Sequence, residues 1–168
     1  FVAAIVAGFL GAGLALVANR LSGGRLPRWI MPVAAGAAMI GYTVWSEYTW
    51  FDRTVTQLPD EMEVTIVNEA TALYRPWTYV APLTDRFAAF DHASVQTNPG
   101  VPDQRIATMY FFGRWSPVRS VPMIFDCARG RQAPLATVTF DDTGAASAAL
   151  WSAPDAENPA IAAACKEV

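Results

Sequence analysis

The sequence predicts an α+β chain. An N-terminal two-helix transmembrane hairpin is followed by a small extracytoplasmic antiparallel-sheet domain that closes with a C-terminal helix. Three observations carry this expectation. Residues 1–18 and 30–46 hold no charge, and the segment between them holds three arginines and no acid. Residues 52–168 alternate short β-rich runs with turns bearing Gly, Pro and Asp. The two cysteines, Cys127 and Cys165, both fall in that second part. The expected boundaries are 1–51 for the hairpin, with helices over 1–19 and 29–50, and 52–168 for the outer domain.

At about 1.5 Å per residue, 18 helical residues span about 27 Å, close to the roughly 30 Å hydrocarbon core of a bilayer. The second run has 17 residues and lengthens where 47–51 enters the headgroup zone. A buried soluble helix can be equally apolar, but two such runs within 50 residues, charged only at their edges, favour membrane spans. A signal peptide fits the first run less well. No basic segment precedes it, Leu16 occupies a position where cleavage needs a small residue, and arginines follow directly.

The short connection carries Arg20, Arg25 and Arg28, whereas 47–63 carries five acids. The positive-inside rule places the connection in the cytoplasm and both flanking parts on the far side. In a bacterium this is an inner-membrane protein with two spans and a periplasmic domain.

Small residues recur at four-residue spacing. Ala4, Gly8 and Ala12 form one row, and Ala7, Gly11 and Ala15 another; Ala34 with Ala38 and Ala37 with Gly41 repeat the spacing in the second helix. Such rows let helix backbones approach closely in lipid, where no hydrophobic drive brings helices together. One row suits the partner helix of the hairpin, the other a helix of another integral membrane subunit. No charge lies inside either span, which argues against a proton or ion path through the hairpin alone. Tyr42, Trp45, Tyr48 and Trp50 crowd the outer end of the second helix and Trp29 marks the inner end, as in an interfacial aromatic belt. Stacking of a quinone, a pigment or a partner helix on that aromatic face is the rarer alternative.

From Glu47 onward there are nine basic and 15 acidic residues, a net charge of −6. That balance disfavours nucleic acid and suits a basic periplasmic partner protein, for example a soluble electron carrier. In an oxidising compartment Cys127 and Cys165 are expected to pair. Closing a loop of about 40 residues contributes roughly 3 to 4 kcal/mol in the chain-entropy treatment. Their spacing excludes a Cys-x-x-Cys redox motif and a Cys-x-x-Cys-His haem motif.

Within the domain, 61–67 reads as a half-buried strand, with Met62, Val64 and Ile66 on the inner side. A helical turn is expected at 69–74, a strand at 77–80, a turn or short helix at 82–90 and a loop over 92–103. Strands follow at 106–112 and 120–126, then a turn at 128–134. Strands at 136–140 and 146–151 flank a tight turn, Asp141-Asp142-Thr143-Gly144. Asn158 and Pro159 are the cap and first residue of a last helix reaching about 167.

Chemistry is sparse. His92 is the single histidine, next to Asp91, with no nucleophile motif nearby and too few companions for a zinc site. Asp141 and Asp142 lack the alternating oxygen ligands of a calcium loop. Arg114, Arg119, Arg129 and Arg131 form either an anion-binding patch or surface pairs with acids such as Asp126. Tyr110, Phe111, Phe112, Trp115 and Phe125 are mainly core, with any exposed members offering a protein-binding surface. No catalytic residue, cofactor site or metal site is assigned. The expected function is a non-catalytic accessory subunit of a bacterial inner-membrane complex of the respiratory or photosynthetic electron-transfer kind. The alternatives are a membrane-anchored periplasmic assembly factor or sensor, and an enzyme built around His92.

Overall fold

The computed structural model of the chain describes residues 1–155 and 157–166. The chain divides into two units, Phe1–Arg53 and Thr54–Val168.

The first unit consists of α1 (Val2–Leu21) and α2 (Ile30–Val55). Gly23 and Gly24 take positive φ angles of 69° and 77° directly after α1, which ends the helix in the left-handed region open to glycine. The helices run antiparallel, since Gly8 lies against Met39 and Gly11 against Ala34 and Ala38. A Cβ on Gly11 would stand 2.6 Å from the Ala34 carbonyl oxygen and 2.7 Å from the Ala38 Cβ. The buried residues of α1 are Gly8, Gly11 and Ala15, with Ala4 and Ala12 half-buried. The contact thus crosses from one four-residue row to the other, because a 3.6-residue turn drifts off a straight i+4 line. Ala37 and Gly41 are exposed on α2, and nothing lies within 4 Å of a Cβ built on Gly41.

Among the described residues α1 is the one helix long and apolar enough to cross a membrane. α2 runs five residues beyond its expected end at 50, taking Asp52 and Arg53 into the helix. Tyr42, Thr43, Ser46 and Glu47 dilute its apolar run, so composition does not support a second span. The hydroxyls of Thr43 and Thr49 donate to the carbonyls four residues back, at 2.9 Å each.

The second unit is built on an antiparallel meander in chain order: β1 (Met62–Ala70), β2 (Leu83–Asn98), β3 (Val101–Gly113), β4 (Ser116–Asp126) and β5 (Arg131–Pro134). The sheet is curled. β6 (Thr139–Phe140) and β7 (Ala146–Ala148) form a separate hairpin, and α3 is Pro159–Cys165.

Several expectations need correction. Residues 69–70 belong to β1 and not to a helical turn, and Arg131–Pro134 form β5 within the expected turn at 128–134. The segment 77–80 is no strand: Pro76–Tyr79 is a 3-10 turn whose buried Thr78 hydroxyl donates to the Arg75 carbonyl and accepts from the Ala72 N–H. The segment 82–90 and most of the loop over 92–103 form one long strand, β2. Phe87, Ala88, Ala89 and Phe90 are all buried, so this strand lacks the two-residue alternation that marks a half-buried one. The strand expected at 136–140 is a 3-10 turn, Leu135–Thr137, before the two residues of β6. In β1 a register break at Thr65 puts Glu63 and Ile66 on one face, which disrupts the row Met62, Val64, Ile66.

One sheet face carries Ala88, Phe90, Ala107, Met109 and Phe125, and α3 lays Ala160, Ile161, Ala163 and Ala164 against them. Phe90 and Phe125 meet edge to face at 5.7 Å. The Asn158 side chain accepts the Ala160 N–H at 3.0 Å and caps α3, with Pro159 at its first position. The helix ends at Cys165; position 167 lies outside the described residues. Cys165 is bonded to Cys127, with 5.6 Å between their Cα atoms. Arg105 donates to the carbonyls of Ala164 at 3.0 Å and Lys166 at 2.8 Å, closing the last turn.

Three substitutions test these contacts. Replacing Gly11 with Ile pushes α1 off α2, whereas Gly13→Ile is tolerated because nothing lies within 4 Å of a Cβ there; spin-label distances between the helices widen in the first variant only. Cys127→Ser with Cys165→Ser lowers the unfolding free energy of the domain by about 3 kcal/mol in urea titration. Arg105→Met lowers it by about 1 to 3 kcal/mol, since two carbonyls lose a charged donor.

Candidate functional site

The strand β2 places His92 on the face that α3 covers, two residues beyond Phe90. Its Nε2 lies 2.9 Å from Glu63 Oε2 of β1, and its ring meets Phe90 edge-on at 4.9 Å. Asp91, one residue earlier, alternates to the other face and accepts the Ala93 N–H. The pairing of His92 with Asp91 is therefore corrected to His92 with Glu63. Ser94 Oγ, two residues further along the strand, donates to the Asp91 carbonyl and accepts the Thr108 N–H, both at 2.8 Å. It bridges the break in register between β2 and β3 and is committed to the backbone. Among the described residues no group of three or more His, Cys, Asp or Glu is placed to hold a metal ion.

The four arginines grouped in sequence take different roles, two of them in the expected pairing with Asp126. Arg129 and Arg131 converge on Asp126, whose side chain is only 2 % exposed. Arg131 reaches it at 2.8 and 2.9 Å, Arg129 at 3.3 Å, and the Arg129 N–H at 3.2 Å. Arg131 also lies over the Trp151 ring at 4.3 Å. This network fastens the turn that carries Cys127. Arg114 lies over Trp115 at 4.9 Å, at the tip of the β3–β4 hairpin. Arg119 takes no part in either cluster.

Arg119 instead borders a groove on the same sheet face as the α3 core, in the rows that continue past Ala88. Register puts Ile66, Ala88, Phe111 and Arg119 side by side in one row across β1 to β4. The next row is Asn68, Arg86, Gly113 and Ser116. Gly113 leaves a hollow between its neighbours: a Cβ there would stand 3.2 Å from Ser116 Oγ and 3.8 Å from Arg86 Cγ. The groove encloses about 440 Å³. Sequence spacing holds no signal for it, because its residues come from four strands and meet only through register.

Of the aromatics assigned to a membrane interface, Trp29 and Trp45 are exposed and Tyr42 and Tyr48 half-buried. Tyr42 and Trp45 rings lie 5.8 Å apart. Trp50 is buried, at 6 % exposed. Arg20, Arg25 and Arg28 are all exposed.

The Asp141 carboxylate organises the β6–β7 turn. It accepts from the Thr143 hydroxyl, the Ala145 N–H and the Thr143 N–H. The Thr143 hydroxyl, then the Ala145 amide, hold its pKa below the ordinary value of 3.8. A lowered folded-state pKa means the carboxylate's contribution is complete above that ordinary value and is lost as pH falls through the folded one. Amide exchange at Ala145, corrected for intrinsic rate, should accelerate in this acid range and Asp141→Asn should abolish the pH dependence.

No family model, curated protein or solved structure matches the chain, so sequence and geometry carry the functional reading.

Proposed function

We propose that this chain is a non-catalytic accessory subunit of a larger bacterial inner-membrane complex, of the respiratory or photosynthetic electron-transfer kind. It crosses the membrane twice and holds residues 52–168 in the periplasm. The observation that carries this reading is the apolar flank of α1. Ile5, Val6, Phe9, Leu10, Leu14 and Val17 are each at least half exposed, while Gly8, Gly11 and Ala15 face α2. A surface of that size and composition needs lipid or other helices around it. The exposed Ala37 and Gly41 offer a second close-approach row for such a helix. The arginine-only connection supports a cytoplasmic turn, and the Cys127–Cys165 bond suits an oxidising compartment on the far side.

A second reading is a membrane-anchored periplasmic sensor or assembly module. The groove lined by Arg86 and Arg119 favours it, because a concave site with cations in its lining suits recognition rather than scaffolding.

Native membranes extracted in mild detergent and resolved on a native gel, with mass spectrometry of the band, test the first reading. The chain is expected to migrate with larger membrane subunits. Migration as a free monomer, under conditions that keep other membrane complexes intact, overturns it.

A further inference from the structure

We infer that the groove across β1 to β4, bordered by Arg86 and Arg119, binds an amphiphilic anion, a small molecule with an alkyl or aryl body and one carboxylate or phosphate head. The inference goes beyond the subunit reading and stands or falls independently of it.

Charge is the first argument. From Glu47 onward the chain carries a net −6, yet this groove gathers two guanidinium groups on one sheet face. Arg119 makes no hydrogen bond or ion pair among the described residues. Among the described residues Arg86 pairs with the adjacent Asp85 alone, at 3.2 Å, with its side chain 72 % exposed. An exposed pair of neighbours contributes little and is readily exchanged for a better acceptor. Guanidinium groups present a planar fork of donors that matches carboxylate and phosphate oxygens.

Shape and polarity are the second. Beside the arginines the floor is apolar: Ile66, Ala88 and Phe111, with Phe111 40 % exposed and Ile66 36 %. Ala88 is shared with the core under α3, so the floor is rigid where the helix stops. About 440 Å³ lies within the range of small-molecule sites. The hollow at Gly113, flanked by Arg86 and Ser116, admits a head group that a larger residue would block. Asn68 and Ser116 add neutral donors beside the cations. An apolar floor ending at two cations has the polarity of an amphiphilic anion.

Radiolabelled dodecanoate, titrated onto the full chain in phosphatidylcholine nanodiscs against empty discs, tests the site. Saturable binding of one dodecanoate per chain is expected, undisplaced by equimolar dodecanol. Arg119→Gln and Arg86→Gln each weaken it about tenfold or more, since a charge-assisted bond is lost, while far-UV circular dichroism stays unchanged. Phe111→Ser weakens it with both arginines intact. Discs containing phosphatidylglycerol identify the source: loss of dodecanoate there assigns the site to an anionic lipid head, and equal binding assigns it to a free amphiphile. Binding no greater than to empty discs, or unchanged in both arginine variants, overturns the inference. Saturable binding of a glutamate-rich peptide without dodecanoate binding overturns it in favour of a protein partner.

Discussion

The domain depends on how α3 is held against the curled sheet. A helix of seven residues does not persist alone in water, because nucleation fixes several residues for few hydrogen bonds. Here three ties of different character hold it. Its alanines and Ile161 fill the concave face over Phe90 and Phe125, the bond to Cys127 fixes its end, and Arg105 satisfies its terminal carbonyls. The meander itself is made of local connections, each strand paired with the next in sequence. Intrinsic strand twist and the register breaks between β1 and β4 bend such a sheet and leave one face to be filled. The helix gives that face its interior, and where the helix stops the face becomes a groove.

Small residues set the distances in both units. In the hairpin, Gly8 and Gly11 let α1 approach α2 to within contact of a main-chain carbonyl. In the domain, Ala88 and Ala107 on the sheet oppose Ala160, Ala163 and Ala164 on the helix. Arginines supply the fastening. Arg105 serves α3, Arg129 and Arg131 serve the buried Asp126, and Arg53, Arg75 and Arg114 lie over aromatic rings. Asp126 fixes the turn that presents Cys127, so the disulfide rests on that ionic network as well as on the two sulfurs. Against this pattern Arg86 and Arg119 stand apart, since neither closes a turn, caps a helix or covers a ring.

The parts of this fold legible in sequence are those with local signals. The two apolar helices, the Asn158-Pro159 start of α3, the turn at Asp141 and the β-rich centres of β3 and β4 all announce themselves within a few residues. β2 does not. Its middle is buried on both faces, which erases alternation, and its later half is interrupted where Ser94 bridges a break in register. Trp77 looks like strand by residue type, but Pro76 and the Thr78 hydroxyl make a turn of it. Sites built across strands are hidden for a stronger reason. His92 meets Glu63, and Arg86 shares a face with Arg119, only once the order and register of the sheet are known.

The composition of α2 makes sense if its two halves meet different surroundings, as the proposed membrane setting requires. Residues 30–41 are apolar throughout, whereas 42–55 bring in tyrosines, tryptophans, hydroxyls and charges. Arg53 does not extend away from the helix. It folds back, donating to the carbonyls of Thr49 and Ser46, and lies 5.3 Å from the centre of the Trp45 ring. A guanidinium group stacked on that indole belongs at headgroup depth, where a ring with one polar edge and a cation are both favoured. Trp45 would then mark the outer boundary of the hydrocarbon, leaving a span of about 24 Å from Ile30, at 1.5 Å per residue. α1, at about 30 Å by the same measure, is the longer partner. Two antiparallel helices of unequal apolar length are accommodated by tilt or by local thinning of the bilayer. In the proposed setting, a neighbouring subunit that covers the exposed flank of α1 would relieve the same mismatch.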